Sequence, residues 1–260
     1  MYKNITVGAD PELFLKNNNG HFVSSIGKIG GSKEEPRKID VDGSSVQEDN
    51  VAVEYNIAPA KTKEEFIQNN IKVLQYLEDY VDNLGLKFSF DAAALFPQEE
   101  LKDMRAMIFG CEPDYNVWTR SENPRPLLPA GMDNLRSAGG HVHVGWDDPE
   151  LDTQERMVKA MDVFLGCPSI QYDKDTQRRQ LYGKPGAFRF KPYGIEYRTL
   201  SNFWIQNKEY MGWVYEQTQR AVDFLNKGNT VDDSHAQIIA DCINNGDYGA
   251  LKFIESVYPL

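Results

Sequence analysis

Apolar and polar positions recur along this chain with two different periods, and the change of period divides it. Up to about residue 59, short alternating runs are broken by Asn17-Asn18-Asn19-Gly20, Gly30-Gly31-Ser32 and Asp42-Gly43-Ser44. Such runs read as strands joined by turns. The period then lengthens. Ile67, Ile71, Leu74, Leu77, Val81 and Leu84 recur at gaps of 4, 3, 3, 4 and 3, behind Thr62 and Glu65 and ahead of Gly85. A T-x-x-E capping box followed by that spacing predicts an amphipathic helix. Two more helices are expected, one from an Asp152 cap to Gly166 and Pro168, the other over about Asn207–Lys227. Short helical pieces follow from Asp232. Residues 92–138 are rich in Pro and Gly and read as a long loop-rich insertion with one short helix around Glu99–Ile108. With no clean linker, no repeat and no regular βαβ alternation, the expected fold is a single α+β domain over residues 1–260.

The strands carry chemistry on one face. Side chains at i and i+2 of a strand share a surface. In Val51–Ile57 the apolar Val51, Val53, Tyr55 and Ile57 oppose Glu54; in Gly140–Gly145, Val142 and Val144 oppose His141 and His143. In Ala187–Lys191, Phe188 and Phe190 oppose Arg189 and Lys191, and in Gly194–Leu200, Ile195, Tyr197 and Thr199 oppose Glu196 and Arg198. Asp10 and Glu12 share a parity near the N-terminus. A merely solvated face has no need of two of the chain's four histidines in one His-x-His, beside carboxylates on comparable strands. Two imidazoles on one side of a strand reach a common ion or a ligand phosphate.

Charge sharpens this picture. The 260 residues hold 28 basic and 39 acidic side chains, a net charge of −11, which disfavours a generic nucleic-acid groove. Yet residues 178–198 hold Arg178, Arg179, Lys184, Arg189, Lys191 and Arg198 against Glu196 alone, a local balance of +5. Guanidinium forks match phosphate and carboxylate oxygens two at a time, so such a field suits an anion. Carboxylates and arginines on one sheet face are what metal-assisted phosphoryl transfer uses. Three cysteines, Cys111, Cys167 and Cys242, are an odd number without a close pair, and no apolar run has the length of a signal peptide or a membrane span. A reduced, cytoplasmic protein without membrane or nucleic-acid partners is expected.

Common nucleotide and nucleophile signatures are missing. No G-x-x-x-x-G-K-[ST], G-x-G-x-x-G or G-x-S-x-G occurs. Gly27–Lys33 is glycine-rich enough to cradle phosphate, but reads as a plain flexible loop. Cys111 reads as a structural thiol, and His21 and His235 as ordinary histidines.

Taken in order, Gly8-Ala9-Asp10-Pro11-Glu12, Val53-Glu54-Tyr55-Asn56-Ile57-Ala58-Pro59, Gly139-Gly140-His141-Val142-His143-Val144-Gly145, Tyr182-Gly183 to Arg189 and Ile195-Glu196-Tyr197-Arg198 resemble the carboxylate-amine ligases of the glutamine synthetase and glutamate-cysteine ligase superfamily. The resemblance is greatest to the phage-type branch, the COOH-NH2 ligases of type 2, and runs over about residues 5–205. It implies a curved, mainly antiparallel sheet with helices packed on its outer face. It implies metal ligands at Asp10, Glu12, Glu54, His141 and Glu196, with His143 approaching the nucleotide phosphates and Arg198 contacting substrate or phosphate. Arg178, Arg179 and Arg189 would hold the transferring phosphoryl group, so ATP contacts fall to His143, Arg178, Arg179 and Arg189, and catalytic roles to Arg179, Arg189 and Arg198. One further hairpin acid is expected among Gln47, Glu48 and Asp49, without a choice between them.

The implied activity is ATP- and Mg2+-dependent amide or peptide bond formation from small-molecule or peptide carboxylates and amines, through an acyl phosphate, in the host cytoplasm if the gene is a phage's. Alternatives are a guanidino-kinase-like phosphotransferase and a non-catalytic nucleotide- or metal-binding protein that keeps the cleft. A cupin-like oxygenase, prompted by His141-x-His143 with Asp147, would want a further downstream histidine on a strand.

Overall fold

The computed structural model describes residues 1–107, 114–124, 127–128 and 130–258. Its first half is mostly strand: β1 (Thr6–Asn17), β2 (Phe22–Val23), β3 (Arg37–Lys38), β4 (Ser45–Asp49) and β5 (Ala52–Asn56) precede α1 (Lys63–Asp82). Then come β6 (Leu86–Ser89), β7 (Ala93–Leu95), α2 (Met104–Met107), β8 (Tyr115–Asn116), β9 (Ser121–Glu122), β10 (Leu135–Ser137) and β11 (Gly140–Gly145). Helices dominate the rest: α3 (Leu151–Met161), α4 (Cys167–Ser169) and α5 (Thr176–Leu181), the hairpin β12 (Ala187–Lys191) and β13 (Gly194–Tyr197), then α6 (Lys208–Asn226), α7 (Ala236–Asn245) and α8 (Tyr248–Val257).

Among the described residues one open sheet runs in the order β3-β4-β5-β1-β11-β13-β12-β8-β9, with β2 and β6 pairing to the far half of β1, and every pairing is antiparallel. The α+β expectation is met. One face is greasy: Val53, Tyr55, Val142, Val144, Ile195 and Tyr197 are at most 1% exposed, and they form one core with buried residues of α1, α3 and α6 such as Phe66, Met157 and Val214. Removing so many apolar side chains from water supplies most of the driving force for docking the helices. The opposite face is left to polar groups, as the alternation requires.

Caps set the helix ends. Thr62 Oγ1 accepts the Glu65 amide at 3.2 Å, and the Glu65 carboxylate accepts the Lys61 amide at 2.8 Å, which starts α1 where the capping pattern placed it. Asn207 caps α6 through the Tyr210 amide at 2.8 Å. The helix expected from Asp152 begins earlier, at Leu151, because Thr153 Oγ1 accepts the Glu150 amide. Nor does it stop at Gly166. It passes through a π-helical turn, Asp162–Gly166, in which the Cys167 amide reaches Asp162 O, into α4. Pro168 is accommodated at the start of that new turn, where its missing N–H is not needed. The Asp162 carboxylate, wholly buried, accepts Tyr197 Oη at 2.7 Å and Trp118 Nε1 at 2.6 Å.

Three other expectations change. The 92–138 stretch contains more order than a loop, with β7 paired to β10 and the β8–β9 hairpin added to the sheet edge. Its expected short helix is a 3₁₀ turn, Gln98–Leu101, followed by α2; Ile108 and Cys111 lie outside the described residues. Phe190 is 37% exposed rather than packed under helices, because β12 lies toward the sheet edge; it rests on Phe188 and Tyr115, with ring centroids 4.6 and 5.5 Å away. Cys167 and Cys242, far apart in sequence, meet in the core as free thiols.

The β12–β13 turn is tightly specified. Gly194 has φ +149°, and a Cβ there would lie 2.0 Å from Val144 O and 2.8 Å from the Trp146 ring. Gly194→Ala is therefore expected to cost at least about 2 kcal/mol in chemical denaturation; a variant as stable as the parent would mean that the turn relaxes without strain.

Candidate functional site

The polar face follows from register. Glu12 pairs with Glu54 and Glu54 with Gln47; Asp10 pairs with His141; His143 pairs with Glu196, and Glu196 with Arg189. Directly paired residues of antiparallel strands project to the same side, so these side chains share one surface. Two groups of ligand-type atoms result. One atom each from Asp10, His141 and Glu196 lie within 4.8 Å of one another, and the same holds for Glu12, Asp49 and Glu54. β1 contributes to both. Of Gln47, Glu48 and Asp49, the acid that lies with Glu12 and Glu54 is Asp49. Gln47 shares its face, whereas Glu48 turns the other way and accepts the Ile29 and Gly30 amides at 3.1 and 2.8 Å and Arg105 at 3.1 Å. Those bonds pin the Gly27–Lys33 segment, so it is not the loose loop that its composition suggests.

In the first group His141 Nδ1 lies 3.4 Å from Asp10 Oδ1 and 3.8 Å from Glu196 Oε1, and His143 Nε2 lies 3.0 Å from Asp10 Oδ2. Glu196, 1% exposed, is ringed by cations: Lys191 at 2.7 Å, Arg189 at 3.3 Å and Arg198 in direct contact. Burial and the charge of Asp10 work to raise the Glu196 pKa, but Arg198, His141 and Arg189 outweigh them and lower it to about 2. Burial likewise opposes ionisation of Asp10, and the paired histidines still hold it well below the carboxylate range. Burial, with Arg198 nearby, keeps His141 below its usual value and hence neutral and able to donate a lone pair.

The second group has the opposite electrostatics. Burial, then repulsion from Asp49, raises Glu12 to about 7 despite the Gly139 amide that it accepts at 2.7 Å. Burial and three neighbouring acids raise Glu54 as well. Three crowded carboxylates stay charged together only beside a cation. A divalent ion fits both groups on two grounds: hard oxygen donors predominate, and Asp10 Oδ1 is buried without a hydrogen bond.

A cavity of about 490 Å³ borders the second group, lined by Glu12, Asp49, Asp114, Arg136, Arg178 and Arg198 among others. Arg198 Nη1 lies 3.4 Å from His141 Nδ1, and its Nε 3.4 Å from Asp114 Oδ2. Arg178 is 2% exposed; it donates to Thr199 O at 3.0 Å, its Nε is without a hydrogen bond, and burial lowers it to about 10. Arg179 differs from expectation. Its guanidinium donates to Ile243 O at 3.0 Å and Asp173 O at 3.1 Å, with the Asp173 carboxylate at 3.4 Å. A side chain so committed to α7 and the α5 approach does not fit the phosphoryl contact expected of it. Asp114 and Arg136 were absent from the sequence expectations; Asp114 lies just before β8 and Arg136 in the three-residue β10, both strands too short for a period to mark a face.

No curated protein sequence matches this chain. Among solved structures, GmaS without ligand aligns over 98% of this chain and 68% of its own at 11% identity and a TM-score of 0.46; a GmaS/ADP complex aligns over the same shares at 11% identity and 0.40. Likeness of that degree assigns no residue a role. Among the described residues no helix is long and apolar enough to cross a membrane. Residues 130–217, which carry His141, His143, Arg189, Glu196 and Arg198, match the family described as Phage phiEco32-like COOH.NH2 ligase-type 2, the branch that the sequence motifs resemble.

Proposed function

We propose that this chain is an ATP-dependent carboxylate-amine ligase that joins a small-molecule or peptide acid to an amine through an acyl phosphate. The observation that carries this reading is the pair of ligand groups, Asp10–His141–Glu196 and Glu12–Asp49–Glu54, side by side on one sheet face with arginines along the cavity edge. Those six residues would hold Mg2+, and bound Mg2+ neutralises phosphate oxygens and withdraws electron density from the phosphorus under attack.

The chain's own groups supply the remainder. A carboxylate is a poor acylating agent, and transfer of a phosphoryl group to its oxygen, with ADP departing, creates a leaving group; the amine nitrogen then takes the acyl carbon, and phosphate and a proton depart. Arg198 and Arg189, held in place by Glu196, present preorganised positive charge where phosphoryl charge develops. His143 and Lys191 extend that field along the sheet, and Arg178 keeps a cation under the cavity wall. Water must be excluded while the acyl phosphate lives, and the recessed cavity favours that. His235 sits in a 3₁₀ turn bonded to Tyr258 rather than on a strand beside His141, so the oxygenase reading lacks its third ligand.

The test is to incubate the protein with Mg-ATP, pooled carboxylates and pooled amines, and to follow ADP. Formation that requires both an acid and an amine is expected, and Glu54→Ala or His141→Ala should lower it at least about 100-fold. Turnover that survives either substitution, or that needs no amine and yields a stable phosphorylated product by mass, overturns the assignment.

A further inference from the structure

The mechanism leaves the contact between Tyr193 and His143 unused. Tyr193 sits in the β12–β13 turn and is 45% exposed, yet its hydroxyl lies 2.5 Å from His143 Nδ1 on the polar face. The turn that presents it is unusually constrained for a surface hairpin. Trp146 N donates to Tyr193 O at 3.0 Å, and Gln154 Nε2 donates to both Lys191 O and Gly194 O at 2.9 Å. Gly194, where no side chain fits, closes it. These bonds fix the backbone of the turn and so the point from which the Tyr193 side chain starts.

We infer that Tyr193 is a positioning residue for the Asp10 cation site: its hydroxyl holds the His143 ring so that Nε2 lies beside Asp10 Oδ2, which leaves Oδ1 on the side of His141 and Glu196. The distances form one chain, 2.5 Å from Tyr193 to His143, 3.0 Å from His143 to Asp10 Oδ2, and 3.4 Å from Oδ1 to His141. Oδ1, the oxygen left for an ion, makes no hydrogen bond. In a neutral imidazole, a tyrosine donating to Nδ1 leaves the ring proton on Nε2, which lies 3.0 Å from Asp10 Oδ2 without an aligned hydrogen bond to it. In a protonated ring the hydroxyl accepts instead, and Nε2 carries the same proton. The arrangement therefore holds in either state of His143. Burial and the charges of Glu196 and Asp10 raise the Tyr193 pKa, which keeps its hydroxyl protonated. Groups that orient a ligand from behind commonly change metal affinity by about 10- to 100-fold when removed.

This inference rests on the two cation sites of the proposed function, and its test separates the two. Mn2+ binding is measured from the electron paramagnetic resonance of free Mn2+ in the parent, Tyr193→Phe and Glu54→Gln; the last identifies which class of site belongs to Glu12–Asp49–Glu54. Tyr193→Phe keeps the ring and is expected to melt with the parent, to weaken the Asp10 class about tenfold, and to spare the other. Unchanged affinity at both sites overturns the role of Tyr193 while the cation sites stand, and equal weakening at both overturns it as general loosening. A parent that binds no Mn2+ removes the cation sites and Tyr193's role with them.

Discussion

Glu196→Ala is expected to unfold roughly 10 °C below the parent and to lose the acid- and amine-dependent ADP formation proposed above. Glu196 is 1% exposed, and Arg198, Arg189, Lys191 and His141 all converge on its two oxygens. Removing one partner of a buried ion pair leaves the other charges desolvated without compensation, at a cost of about 3–5 kcal/mol. For a chain of this size each kcal/mol corresponds to about 2–4 °C. Glu196→Gln keeps the volume and some hydrogen bonding and should fall between the two. A calorimetric scan in which Glu196→Ala melts within a degree or two of the parent would show that the cations rearrange into solvent and that the cluster is not a unit.

Stripped of divalent ions with EDTA, the protein is expected to lose stability as pH rises, the reverse of the usual carboxylate behaviour. Glu12 is raised from 4.5 to about 7 in the folded chain, so between those values the folded state binds more protons than the unfolded state. Stability from that group is then complete below about 4.5, declines through the window and is gone above about 7, a change on the order of 3 kcal/mol. Glu54 shifts in the same direction. Glu196, lowered from 4.5 to about 2, acts oppositely: its contribution is present above 4.5 and is lost as pH falls toward 2. Metal-free stability should therefore peak near pH 4.5, and saturating Mg2+ should flatten the upper limb by taking the place of the protons. Urea denaturation across pH 4 to 8 with and without Mg2+ checks this; a metal-free curve that rises over the window contradicts the crowding of Glu12, Asp49 and Glu54.

Much of the site was legible because a strand converts sequence parity into a surface. Asp10 and Glu12, Glu54, His141 and His143, and Glu196 with Arg198 each lie opposite an apolar row, so their common side followed before any strand pairing was known. The choice among Gln47, Glu48 and Asp49 did not, since it depends on register. Counting back from the two-residue turn at Asn50-Val51, where Asn50 has φ +54°, places Asp49 across from Ala52 and on the face of Glu54, so a signal existed in the turn. For Arg179 no signal was available: a run of basic residues reads the same whether a guanidinium meets a ligand or, as here, two backbone carbonyls. Asp114 and Tyr193 sit in a loop and a turn, where side-chain direction follows from tertiary contacts rather than from a period. The long helix fared similarly. Gly166 and Pro168 are sound stop signals locally, and the π-helical turn from Asp162 overrides them.

Both ligand groups draw on β1, through residues two apart on a single edge of the pleat. Two steps along an extended chain span about 7 Å, so the separation of the two groups is dictated by peptide geometry and not by the side chains that complete them. If the two groups hold ions as proposed, exchanging Asp10 or Glu12 for other donors would retune which ion each prefers while leaving their spacing intact. Altering the spacing itself would take an inserted residue, and a bulge at Pro11 would swing one ligand to the helix side and dismantle a centre instead of widening the pair.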